Sequence, residues 1–400
     1  MKTNDSPKLL RISTVPGSLA SLLKGQLKYL SEHYEVVGVS SPGKTLDLVS
    51  TREGVRTVGI PMERRIAVLK DVVSLIRLIL LFRKERPDIV HSITPKAGLL
   101  SMLAAWITRV PVRMHTFTGL VFPTARGKMQ RLLILMDKIT CSCATHINPE
   151  GEGVKRDLMR YGITGKPLHV IGNGNVNGID LACFHVLNTQ DETEKLRYTY
   201  KIHSSCFTFC FVGRMVRDKG INELVNAFAK LHSENQNVRL ILVGPFEKEL
   251  DPLLPEVEVL IHQHPGIIYA GYQPDVRPYL AASDALVFPS YREGFPNVVM
   301  QAGAMDLPSI VTDINGCNEI IHERENGVII PPKNENALYG AMKYFTENPQ
   351  EVNRMAGNAR RMIASRYGQQ ALWRALLEEY RSISVLPRRK RKNREKEPER

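Results

Sequence analysis

Cysteine is scarce in this chain, with 6 in 400 residues. That density excludes a disulfide-stapled scaffold. The six, at 141, 143, 183, 206, 210 and 317, form no C-x-x-C pair, so no cysteine zinc site is expected and a reducing cytoplasm fits best. Long apolar runs are missing as well. The best candidates are 97–108 and 66–82, the latter broken by Lys70, Asp71 and Arg77. Both fall short of the roughly 20 residues that span a bilayer. Asp5, Lys8 and Arg11 interrupt any apolar core of a signal peptide. No repeat of 20–50 residues is visible beyond a loose similarity of two halves.

What is present is an ordinary globular composition, 43% hydrophobic and 24% charged, of a length suited to two domains or one large one. The net charge of +13 is unevenly spread. Residues 1–185 carry 26 Lys/Arg against 14 Asp/Glu, residues 186–387 carry 20 against 24, and residues 388–400 carry 8 against 3. A basic first half beside a mildly acidic second half points to one surface facing an anionic partner: membrane phospholipid, a lipid phosphate or nucleic acid.

Short β-branched runs alternate with amphipathic stretches through both halves, the pattern of βαβ units and parallel sheets. In the first half strands are expected at 9–15, 35–39, 55–58, 89–92, 112–116, 144–147 and 168–171, with helices at 19–31, 68–85, 97–108, 128–139 and 151–161. The pattern lapses into polar residues at 186–205 and then resumes, with strands expected at 208–212, 239–243, 267–270, 285–288, 309–312 and 327–330. This gives a first doubly wound domain over 1–185, a second over 186–368, a closing helix at 369–386 crossing back to the first, and a disordered basic tail at 387–400. Two such domains place a cleft between the carboxyl ends of their sheets, where α/β proteins bind ligands.

The most informative segment runs from Ser290 through Glu293-Gly294-Phe295-Pro296-Asn297 to Gln301. It follows a strand, and Pro296 suits the first position of a helix. The amides of Asn297, Val298 and Val299 would stand at the positive end of the helix dipole beside Gly294, whose missing side chain lets a diphosphate approach the backbone. Along a regular helix Glu293 and Gln301 would be roughly 12 Å apart, suited to opposite ends of one extended ligand. A second loop, Gly213-Arg214-Met-Val-Arg217-Asp-Lys219-Gly220, sets Arg214 and Lys219 at the carboxyl edge of the same sheet, where bidentate donors and a point charge neutralise a leaving diphosphate.

These segments, with Asp275-Val276, Ala282-Ser-Asp284 and Ser309-Ile-Val-Thr-Asp313 in order around them, resemble glycosyltransferase family 4 over 9–383. The resemblance implies the GT-B architecture of two facing Rossmann-like domains. It implies that Glu293 contacts the donor sugar, that the amides after it hold sugar and phosphates, and that Arg214 and Lys219 stabilise the departing diphosphate. The family's second motif glutamate is Gln301 here, which removes a charge but keeps an acceptor for a ribose hydroxyl. Gly17, opening a helix after the first strand, resembles the family's glycine loop without its usual glycine pair. His115, in Met114-His115-Thr116-Phe117-Thr118-Gly119, resembles the histidine placed near the transferred sugar. Lys96 would meet an acceptor phosphate. No Asp-x-Asp triplet is present to hold a divalent metal, so transfer without metal or cofactor is expected. The resemblance implies retention of the anomeric configuration by a front-face route; no carboxylate pair suited to a double displacement stands out in the sequence.

Residues 63–84 and 125–136 mix aliphatic side chains with Arg and Lys, which with the basic first half points to an anionic membrane and not to nucleic acid. The expected partners are a nucleotide-sugar donor, taken as a UDP-sugar, and a lipid-diphosphate-linked saccharide acceptor. The expected place is cytoplasmic, peripheral on the inner face of the membrane, in surface-polysaccharide assembly. The rival readings are a nucleotide-sugar epimerase of the same architecture and a non-catalytic membrane or nucleic-acid adaptor.

Overall fold

The computed structural model describes residues 6–383 apart from 248 and 250, so the expected basic tail and positions 384–386 of the expected closing helix lie outside the described residues. Two six-stranded parallel sheets organise the chain. The first holds β1 (Lys8–Ile12), β2 (Glu35–Ser40), β3 (Arg56–Gly59), β4 (Ile89–Ile93), β5 (Val112–Phe117) and β6 (His146–Pro149), ordered β3-β2-β1-β4-β5-β6. The second holds β7 (Phe207–Val212), β8 (Val238–Val243), β9 (Ile267–Gly271), β10 (Ala285–Phe288), β11 (Ser309–Thr312) and β12 (Gly327–Ile330), ordered β12-β11-β10-β7-β8-β9. Both are the doubly wound order. The strand sequence reverses at β1/β4 and again at β7/β10, which opens a crevice at the carboxyl edge of each sheet. Leu9, Leu10 and Ile12 in β1, and Phe209, Cys210 and Phe211 in β7, are fully buried, as strands covered on both faces require.

A helix stands at Lys44–Glu53, where the sequence reading placed none, and three further departures follow. The stretch 168–171 touches β6 only at an Ile147–Leu168 bridge, because Pro167 lacks an N–H and the Asn148 side chain takes the His169 carbonyl at 3.0 Å. The helix expected at 19–31 is two, Pro16–Leu22 and Gln26–Leu30, broken at Gly25. Gly25 has φ +80°, and a Cβ there would stand 2.7 Å from the Trp373 ring. The polar stretch at the boundary holds the helix Gln190–Thr199, with Asp191 and Glu192 at its positive end and only Leu196 buried.

The final helix, Gln369–Ile383, packs Leu376, Leu377 and Tyr380 against Leu9, Leu19 and Leu27 of the first domain. Its Tyr380 hydroxyl accepts from the fully buried Arg11 guanidinium at 2.8 Å, and Gln26 accepts from the same group at 2.9 Å. Trp373 donates to Asn177 at 2.8 Å. The second domain also caps the first: the Glu319 carboxylate accepts from the amides of Glu152 and Gly153, at 2.7 and 2.9 Å, at the start of the helix Glu152–Arg160. Among the described residues no helix is long and apolar enough to cross a membrane.

Candidate active site

The two carboxyl edges enclose a cleft of about 660 Å³ open to solvent. Pro95 and 118–121 line it from the first domain, and Arg214, Asp218, Lys219, Ser290 and 292–294 from the second. The chain reaches this point through close backbone packing. A Cβ on Gly119, whose φ is +100°, would lie 3.1 Å from the Gly294 amide nitrogen, and one on Gly294 would lie 2.5 Å from that of Gly119. Only glycines let the domains approach this closely.

Each cation in the cleft faces a carboxylate. Lys219 ends the turn Arg217–Lys219 that follows β7 and bonds the Glu293 carboxylate, which also accepts from Ser290 Oγ at 2.8 Å. Arg214 bonds Glu247, which lies 3.7 Å from Arg64 of the first domain. Arg292 donates from Nε to Asp218 at 2.9 Å. An entering diphosphate would therefore exchange with carboxylates on cations already held in place, which avoids reorienting free side chains during reaction.

The helix after Glu293 is Asn297–Ala304, with Pro296 as its N-cap and not its first residue. The Val299 amide is not free as expected, because it donates to the Pro296 carbonyl at 3.2 Å. The amides of Asn297 and Val298 are left at the positive end. Phe295 is buried, its ring 5.4 Å from that of Tyr367, so its side chain serves the core. Of the expected donor-site residues, Arg214, Lys219, Glu293 and Gly294 line the cleft, whereas Phe295, Asn297, Val298, Val299, Gln301 and Gly17 do not. No atom lies within 4 Å of where a Gly17 Cβ would be, so that position imposes no steric demand.

Two first-domain expectations are corrected. His115 is 1% exposed, with Nδ1 2.8 Å from Ser92 Oγ and the ring packed on Gly98 and Phe117, so it cannot touch a sugar in the cleft. Burial drops the imidazole to about 3 and keeps it neutral. Lys96 is also buried, its ammonium 2.8 and 3.0 Å from the Asp71 carboxylate oxygens and bonded to the Arg65 carbonyl; an acceptor phosphate does not meet it. The cleft is lined instead by 118–121, which follow β5 and begin three positions beyond His115.

Glu150 is a group that the sequence reading missed. It is the first residue after β6, buried, and its Oε2 would lie 2.5 Å from a Cβ on Gly294. Burial, reinforced by the charges of Glu293 and Glu319, pushes its carboxyl well above the usual range. The available signal was its place just beyond a strand's carboxyl end, shared with Thr118 after β5. Because the folded state holds this proton more tightly than the unfolded chain, the group's stabilisation is complete below about pH 4.5 and declines as pH rises above it. Glu150→Gln is therefore expected to gain thermal stability relative to wild type between pH 5 and 8, with the difference vanishing near pH 4. Paired melts across that range test it, and a constant difference would refute it.

Comparison with known proteins decides the family. Residues 23–175 match the family described as Glycosyltransferase Family 4, and residues 206–348 match Glycosyl transferases group 1. The capsular polysaccharide biosynthesis glycosyltransferase CapM of Staphylococcus aureus is 33% identical over 94% of this chain and 97% of its own. This chain is a family 4 glycosyltransferase. As a member of that family it is an enzyme that transfers sugars, which sets aside the adaptor and the epimerase. An Escherichia coli relative named UDP-Gal:alpha-D-GlcNAc-diphosphoundecaprenol alpha-1,3-galactosyltransferase is 28% identical over 78% of this chain and 80% of its own. In fold, the crystal structure of Anabaena HepE in complex with UDP and glucose superposes with a TM-score of 0.80 at 17% identity, covering 94% of this chain and 100% of that one. The two-domain GT-B architecture expected from the sequence is thus the architecture found.

Proposed function

We propose that this glycosyltransferase moves a hexosyl or N-acetylhexosaminyl group from a UDP-sugar to a saccharide carried on a polyprenyl diphosphate, in bacterial surface-polysaccharide assembly. Transfer retains the anomeric configuration and uses no metal. The observation that carries this reading is the single cleft in which Arg214, Lys219, Glu293 and Gly294 face Thr118 and Gly119 across the domain boundary. The printed activity of the Escherichia coli relative, from a UDP-sugar to a diphosphoundecaprenol-linked sugar, supports the choice of donor and acceptor.

In this mechanism the diphosphate lies against the Asn297–Val298 amides with Lys219 and Arg214 on its oxygens, and Glu293 accepts from a donor-sugar hydroxyl. The bond from the anomeric carbon to the diphosphate oxygen breaks as the acceptor oxygen bonds to the same face. The acceptor's proton passes to the departing phosphate oxygen. Positive charge and amide dipoles stabilise the leaving group in place of a metal. The test is a panel of UDP- and GDP-sugars in EDTA with a polyprenyl-diphosphate-linked sugar in detergent. Metal-independent transfer from one UDP-sugar is expected, and transfer only with added Mg²⁺ or only from GDP-sugars would overturn that part of the reading.

Peripheral attachment to the inner face of the membrane belongs to the same proposal. The helix Val68–Glu85 buries Ser74, Leu78 and Phe82, yet Leu69 is 85% exposed and Val72, Val73, Ile76 and Leu80 are exposed beside it. The helix Gly127–Cys143 exposes Met129, Leu132 and Leu135 among Lys128 and Arg131. Apolar side chains that wet, next to exposed cations, suit an anionic lipid surface. Sedimentation with vesicles holding 30% anionic lipid should show binding that Leu69→Glu weakens about tenfold, the scale of one buried leucine. Equal binding by wild type and variant would remove this helix from the contact.

A further inference from the structure

The loops after β7 and β10 meet at the cleft in two successive ion pairs. Lys219 of the first loop faces Glu293 of the second; one residue earlier in each, Asp218 faces Arg292 with the charges exchanged. All four residues line the cleft. The mechanism above uses the first pair and leaves the second idle. We propose that the Asp218–Arg292 pair is the subsite that recognises hydroxyls of the acceptor's terminal saccharide; the inference rests on the transfer reaction proposed above.

The pair is only half used within the chain. Arg292 Nε donates to Asp218 Oδ2 at 2.9 Å, and its Nη2 lies 2.8 Å from the same oxygen. Among the described residues no hydrogen bond reaches Asp218 Oδ1 or leaves Arg292 Nη1. A free acceptor thus belongs to the same pair as a free donor, a combination that two neighbouring hydroxyls of a pyranose satisfy together, one donating and the other accepting. The backbone holds the pair in place. The Tyr291 amide donates to the Asp218 carbonyl at 2.8 Å, and the Asp218 amide donates to Asp251 Oδ2 at 2.6 Å. Groups fixed before a ligand arrives cost less ordering on binding than free side chains do.

Charge and depth select the ligand. The pair carries no net charge and its carboxylate repels a diphosphate, so a neutral saccharide suits it better than the leaving group does. The side chains of Lys219 and Glu293 are each 17% exposed, with the ammonium 5.1 Å from the centroid of the Phe288 ring, whereas those of Asp218 and Arg292 are 40% and 39% exposed. A donor seated on the inner pair leaves the outer one, nearer solvent, to the acceptor. One residue separates the two levels in each loop, about 3.8 Å along the chain, which suits two rings about to be joined. The cleft, at about 660 Å³, has the size of a ligand site.

The test uses the full chain, the UDP-sugar that supports turnover, and a short-chain polyprenyl-diphosphate-linked hexosamine with its monodeoxy analogues. Asp218→Ala and Arg292→Met are each expected to raise the acceptor KM about tenfold or more, the scale of one charge-assisted hydrogen bond, and to leave the donor KM and UDP affinity within about twofold of wild type. Wild type should disfavour at least one monodeoxy acceptor by about tenfold, and Arg292→Met should lose that discrimination. Asp218→Arg combined with Arg292→Asp restores an ion pair but reverses donor and acceptor, so the raised acceptor KM should persist. Recovery of the wild-type acceptor KM in that double variant would mark a merely structural pair and overturn the inference. So would an unchanged acceptor KM in both single variants, or a rise in donor KM, which would give the pair to the donor. In each of those cases the transfer reaction stands. A wild-type protein that binds UDP but transfers to no polyprenyl-diphosphate sugar overturns the acceptor reading itself, and this subsite with it.

Discussion

Replacing Lys219 by alanine is expected to lower kcat for sugar transfer by about 10²–10³-fold, the cost typical of losing one preorganised group at a developing negative charge. The expectation follows from how firmly the ammonium is placed. Its side chain is only 17% exposed, it bonds the Glu293 carboxylate, and it lies 5.1 Å from the centroid of the Phe288 ring. The turn that carries it closes at Gly220, with φ +70°, against the Pro289 carbonyl, where a side chain has no room. A charge so placed, partly out of water, acts on a departing diphosphate more strongly than a solvated lysine would. Arg214, 45% exposed and shared with Glu247, should matter less, by about tenfold on alanine substitution if screening scales with exposure. Single-turnover rates at saturating donor measure both. A Lys219→Ala rate within threefold of wild type would remove Lys219 from leaving-group stabilisation.

Gly294→Ala should be nearly as damaging, by a different route. The added methyl would lie 2.5 Å from both Glu150 Oε2 and the Gly119 nitrogen, and 2.7 Å from the Thr118 carbonyl carbon. Two of those three neighbours are backbone and cannot swing aside, so relief requires the domains to part. The expected cost is about 1–3 kcal/mol in stability, as for overpacking elsewhere. Loss of transfer should be on the order of 10²-fold, because a misplacement of about 1 Å between reacting groups suffices for that. Thermal unfolding and transfer rates on the same preparation separate the two effects. Gly17→Ala, at a position with open space, serves as the control and should change neither by more than about 0.5 kcal/mol. Wild-type activity in Gly294→Ala would show that the cleft does not need this backbone approach.

The site was legible where chemistry and backbone coincide in a short stretch. Arg214, Lys219, Glu293 and Gly294 each sit just beyond a strand of the second sheet, and a residue just beyond a strand's carboxyl end reaches the crevice almost whatever the rest of the chain does. The first domain was less legible. His115 carries the conspicuous chemistry, but it lies within β5 and its side chain faces the helix Pro95–Ile107, while the less conspicuous Thr118 follows the strand and opens to the cleft. Lys96 looks free in sequence and is claimed by Asp71, 25 residues away. In helix Val68–Glu85 the apolar residues that join the core, Leu78 and Phe82 with the partly buried Leu75, Ile79 and Leu81, interleave with the exposed Leu69, Val72, Val73, Ile76 and Leu80, so composition could not assign them to either face.

By itself the sequence determined the class of each domain, the alternation of strand and helix, and the phosphate-facing loops of the second half, because all of these follow from periodicity and turn chemistry within a few residues. The tertiary structure alone decided which carboxylate neutralises each cation, that Glu150 lies buried against Gly294, and that Gly119 and Gly294 meet backbone to backbone. These contacts join residues that are tens to more than a hundred positions apart. They exist only once the two sheets are brought edge to edge, and no local preference of the chain encodes that distance.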